Sequence, residues 1–214
     1  MTIPELTAVE ARVLGCLIEK DLTTPEYYPL SLNALMNACN QKSSRDPVVN
    51  YDESTVEQAC DSLRAKGLVL VHTGSRATKY SHRLSERFNF GRRDLPLLGV
   101  LLLRGPQTLG ELRTRTERMH DFSDLDEVEH VLQQMAERET GALARRMPPQ
   151  PGMKEQRWAH LLCGEPAFET AQPHYAASAP TDGRLDRITL LENEVNALKQ
   201  EIDWIKQKLA DLLD

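Results

Sequence analysis

Aromatic residues are scarce in this chain: two Trp, five Tyr and four Phe make up 5% of 214 residues. A core of that composition packs aliphatic side chains between helices rather than filling a large β-sandwich. Long apolar runs are missing too. The longest, Leu95 to Leu103, is nine residues and contains Pro96 and Gly99, too short to cross a bilayer. The start, Met1-Thr2-Ile3-Pro4-Glu5, has none of the basic residues that open a secretory leader. Cys16, Cys39, Cys60 and Cys163 are widely spaced, with no C-x-x-C, and read as reduced core thiols of a cytoplasmic protein. Catalytic signatures are also lacking. His72, His82, His120, His130, His160 and His174 form no H-E-x-x-H, and neither a G-x-S-x-G nor a glycine-rich phosphate loop occurs. These absences predict no enzyme, no metal site and no cofactor.

An excess of positive charge is absent as well. The chain carries 26 Lys and Arg against 32 Asp and Glu, a net charge of −6. Residues 1–83 hold 9 cations and 10 acids, residues 84–163 hold 12 and 12, and residues 164–214 hold 5 and 10. The acidity therefore lies in the tail. A nearly neutral body can still present one basic face, but its composition does not demand a polyanion as partner.

What is present is a repeated order of elements. Thr7 and Glu10 have the spacing of a capping box, and Val9, Val13, Leu14, Leu17 and Ile18 form one apolar stripe, so a helix is predicted from Thr7 to Asp21. Glu26 to Pro29 is a connector whose Tyr28 and Pro29 pack on the core. Ser31 caps a second helix through Leu35 and Cys39. Asn40 to Tyr51 is a polar loop broken by Pro47. Asp52 or Ser54 then caps a third helix with Val56, Ala59, Cys60 and Leu63 inward, and Gly67 stops it. Leu68 to Val71 and Lys79 to Arg83 read as two strands joined at Gly74-Ser75-Arg76. The order recurs. Helices are predicted over Asp94–Arg104, after Thr108, and after Ser123 or Asp124, followed by strands over Leu143–Met147 and Gln156–Leu162.

Three helices and a hairpin, twice, predict a mainly α fold with small β-hairpin wings: two tandem winged-helix domains over residues 5–83 and 94–163. Residues 164–183, rich in Pro and Ala, read as a linker. In residues 184–213, Ile188, Leu191, Val195, Leu198, Ile202, Ile205, Leu209 and Leu212 alternate steps of three and four. That is a coiled-coil seam. β-Branched residues at most first-core positions, with mostly Leu at the second, favour a parallel homodimer over a helix that folds back on its own body.

The third helix would turn Gln58 toward a groove, and Gln58 can pair with adenine. Glu57 and Asp61 stand beside it and oppose a phosphate-lined groove. The cations lie elsewhere, so the partner-facing surface is assigned to Asn40, Gln41, Lys42, Ser43, Ser44 and Arg45 with Arg76, Lys79 and Arg83 of the first wing. In the second copy the basic candidates are Arg113, Arg115, Arg145, Arg146, Lys154 and Arg157. Such wings grip phosphates of double-stranded DNA or, equally, an acidic protein partner.

Several stretches carry a resemblance. LTAVEARVLGCLIEK, TTPEYYPLSLNALMNACNQKSSRDPVVNYDESTVEQACDSL, LLLRGPQTLGELRTRTERMHDFSDLDEVEHVLQQM and the run from Pro151 to Leu161 resemble the YceH-like family of bacterial proteins of unknown function. The resemblance covers most of residues 6–164 and implies tandem winged helices, with no catalytic residue to carry over. The reading is therefore a dimeric DNA-binding protein, a transcriptional regulator, or else an interaction scaffold that uses the same fold without touching DNA.

Overall fold

The computed structural model describes residues 3–74, 77–149 and 155–165. They form a mixed α+β unit of seven α-helices and two small antiparallel sheets. The first half holds α1 (Ala8–Thr23), β1 (Leu30–Ser31), α2 (Leu32–Cys39), α3 (Glu53–Ala65), β2 (Val69–His72), β3 (Lys79–His82) and α4 (Leu84–Phe88). The second holds α5 (Asp94–Arg104), α6 (Leu109–Thr116), α7 (Leu125–Ala136), β4 (Ala144–Arg146) and β5 (Trp158–His160).

The helix starts follow local chemistry. Thr7 and Thr108 close capping boxes with Glu10 and Glu111. Asp52, not Ser54, caps α3, and Asp124, not Ser123, caps α7. Gly67 and Gly105 end their helices at φ of 72° and 68°, a backbone that glycine adopts without strain. The helices α6 and α7 end at Thr116 and Ala136.

Besides a single 3-10 turn at Pro25–Tyr27, two elements were not anticipated. The connector Leu30–Ser31 is a strand, pairing Leu30 with Tyr80 and Ser31 with Lys79, so the first sheet runs β1-β3-β2. The second half copies this at a single residue. Gln107 and Trp158 exchange backbone hydrogen bonds of 2.9 and 2.7 Å. Ser31 and Thr108 are the N-caps of α2 and α6, so the residue just before the cap bridges the far hairpin strand in both halves. The other unanticipated element is the short helix α4, which leads into Phe90 and the second half.

One continuous core runs through both halves, from Leu14, Leu17 and Leu35 to Leu98, Leu101, Leu132 and Trp158. Its centre is the packing of α1 on α5. Glycines allow that approach. A Cβ at Gly15 would sit 2.9 Å from the Leu103 side chain, and one at Gly99 would sit 3.0 Å from Ile18. The ends meet as well: the Leu6 amide donates to the Leu162 carbonyl at 2.6 Å. Cys16, Cys39 and Cys60 are buried free thiols and Cys163 is half-buried. Among the described residues no helix is long and apolar enough to cross a membrane. The coiled-coil positions from Ile188 to Leu212 lie outside the described residues, as does most of the 164–183 segment.

Candidate interface and its charge

The polar loop after α2 is fastened from below. Asn40 Nδ2 donates to the Tyr51 carbonyl at 2.8 Å and its Oδ1 accepts from the Tyr51 amide at 2.7 Å, closing the loop at its base. Arg45, expected at the surface, is buried instead. Its guanidinium grips both Glu19 carboxylate oxygens at 3.1 and 2.5 Å and donates to the carbonyls of Ala38 and Ser44. Gln41 accepts a further bond at 3.0 Å. A fork geometry satisfied on this many sides makes Arg45 an internal post rather than a ligand contact. Arg12 of α1 is buried too and donates to the Cys39 and Pro47 carbonyls. The Asp46 amide donates to the Leu103 carbonyl of α5 at 2.9 Å. Asn40, Gln41 and Arg45 thus bind the loop to the body, while Lys42, Ser43 and Ser44 remain exposed.

The first hairpin is anchored separately. The Tyr28 hydroxyl accepts from the His82 amide at 2.7 Å. Burial pushes the Tyr28 phenol above its ordinary range, against the lowering effect of that bond. His82 Nδ1 accepts from the Leu84 amide, which leaves its proton on Nε2, 3.1 Å from Asp21 at the end of α1. Lys79 lies across from His72 in the hairpin and has no carboxylate within 4 Å among the described residues. Arg83 is paired with Glu86 at 2.9 Å. Arg76 lies outside the described residues. On α3, Gln58 is exposed, and so are Glu57, Asp61 and Arg64.

The second copy is more neutral. Arg113 donates to the Phe122 carbonyl. Arg115 and Arg157 share Glu111, at 3.3 and 2.9 Å. Arg145 pairs with Glu165, and Arg146 pairs with Glu129 at 2.5 Å while lying over the Trp158 ring. Lys154 is outside the described residues. The signal missed in the sequence was this pairing: carboxylates 4 to 46 positions away quench the arginines.

The fold and these surfaces define a small α+β protein with exposed polar loops. Comparison with known proteins places it further. The family described as "Protein of unknown function, DUF480" matches residues 6–153, and the chain belongs to it. A UPF0502 protein of Solibacter usitatus is 52% identical over 95% of this chain and 97% of its own length. Others, from Citrifermentans bemidjiense and Opitutus terrae, are 56% and 51% identical over 89% and 92% of this chain, and 88% and 84% of their own lengths.

Proposed function

We propose that the chain is a DNA-binding protein, a transcriptional regulator with two tandem winged helices, dimerised through the coiled-coil seam of residues 184–213. The observation that carries the reading is the β1-β3-β2 sheet order. A strand entering the second helix pairs with the far strand of a hairpin that follows a third helix. That order supports reading the hairpin as a wing and α3 as the recognition helix. Exposed Lys42, and Lys79 with no carboxylate within 4 Å among the described residues, supply phosphate contacts, and Gln58 is the base-reading candidate.

Fluorescence anisotropy of full-length protein with genomic fragments tests it. Binding should weaken steeply between 50 and 200 mM salt, and K42A/K79A should lower the log–log salt slope by about two. A second reading, a protein-interaction adaptor, is favoured by the acids beside Gln58 and by the paired arginines of the second hairpin. Absence of any DNA complex at 50 mM salt would move the assignment to the adaptor.

A further inference from the structure

A recess lies between the two halves. It is a cleft of about 820 Å³ walled by the end of α1, the loop after α2, the second half of α5 and the end of α6. Its charged lining is unbalanced. Lys20, Arg104, Arg115 and Arg118 face two acids, Glu19 and Glu117. Glu19 is held by Arg45 from below and lies 3.8 Å from Lys20. Arg115 shares its one carboxylate with Arg157. Arg104 and Arg118 have no carboxylate within 4 Å among the described residues. Burial and then repulsion from Arg115 and Arg45 press the Arg104 guanidinium below its ordinary value. Cations crowded this way, in a concave site, lack the counter-charge that an anion would bring.

The remaining lining narrows the ligand. Val100, Leu103 and Met119 give the cleft an apolar patch, and Ser43 and Thr114 bring hydroxyls to its wall. A duplex presents its phosphates on a convex surface, whereas this site is a recess. We propose that the cleft binds a phosphate-bearing small molecule of nucleotide size. The guanidiniums of Arg104 and Arg118, with Lys20, take the phosphates, and the apolar patch takes the rest. Because α1 and the α2 loop form one wall and α5 with α6 the other, the ligand touches both halves at once. Lys79 of the first hairpin does not line this site, whereas Lys42 stands at its rim between the lining residues Gln41 and Ser43.

Isothermal titration calorimetry of the full-length protein with ATP and with inorganic pyrophosphate, at 50 mM salt, tests the assignment. Binding of either probe, weakened at least about tenfold in R104Q/R118Q and unchanged in K79A, is the expected result. T114E, which adds a carboxylate to the wall and keeps every arginine, should weaken it as well. Both variants should melt like wild type without probe, and the bound probe should raise the wild-type Tm. ATP binding more tightly than pyrophosphate identifies the apolar patch as part of the site. Failure of both probes to bind at 10-mM concentrations (about the limit of a specific site) overturns the proposal. So does undiminished binding in R104Q/R118Q. If that variant loses affinity for duplex DNA alone, the cleft belongs to the DNA surface and the small-molecule site is refuted.

Discussion

At the scale of single residues, buried charge organises the first half. Arg45 is sealed from solvent and its partner Glu19 is partly exposed at the cleft wall. Removing one member of such a pair strands the other, so R45A should cost about 3–5 kcal/mol, measured by urea unfolding. K42A, three residues away and exposed, should change stability by less than about 0.5 kcal/mol. Glu10 is a second case. Burial alone would raise its carboxyl, but hydrogen bonds from Lys66, Ser62 and the Thr7 amide outweigh burial and hold it below the ordinary value. A depressed carboxyl stabilises the fold above its unfolded pKa and loses that contribution as pH falls through the folded one. The stability gap between wild type and E10Q should therefore be full at pH 7 and close below about pH 4. Glu10 was legible as the capping partner of Thr7, but its burial was not. Arg45 read as a surface residue because charge is seldom buried, and only partners distant in the chain reverse that. The helix caps were legible because cap and amide lie three residues apart.

At the scale of elements, the α1–α5 contact depends on missing side chains. G15A drives a Cβ to 2.9 Å from the Leu103 side chain and 3.1 Å from Leu102, so the leucine or the helix must shift. A loss of about 1–3 kcal/mol is expected, read from the urea midpoint. The second hairpin carries a pH dependence of its own. Burial lowers the His160 imidazole to about 4, and its Nδ1 has no partner. The unfolded chain takes up that proton near pH 6.5 and the folded chain does not until about 4, so stability should fall as pH drops through this window. H160Q should flatten that part of the profile. Periodicity revealed these hairpins and the helices before them. It could not reveal β1 or the Gln107 bridge, since a strand of one or two residues has no period and exists only through its pairing.

At the scale of the molecule, the repeat is legible but the shared core is not. Apolar stripes show that helices bury a face without saying which neighbour covers it. Here α1 of one half covers α5 of the other, which predicts a single cooperative unfolding transition for residues 3–165. In a W204F background, Trp158 reports on the second hairpin alone, and R45A in the first half should shift its melting curve by the full amount. Two separated transitions would contradict the shared core. Deleting residues 184–214 should halve the sedimenting mass if the seam from Ile188 to Leu212 dimerises the chain. The bond between Leu6 and Leu162, beside the Thr7–Cys163 contact that spans 156 positions, also bears on how the protein is made. Its first residues leave the ribosome long before their partners exist. At ordinary elongation rates the interval is about 10–30 s. For about the first half of that time the α5-facing side of α1, with Gly15 and Ile18, has no cover, so the nascent first half is the stage at which this protein most needs a chaperone.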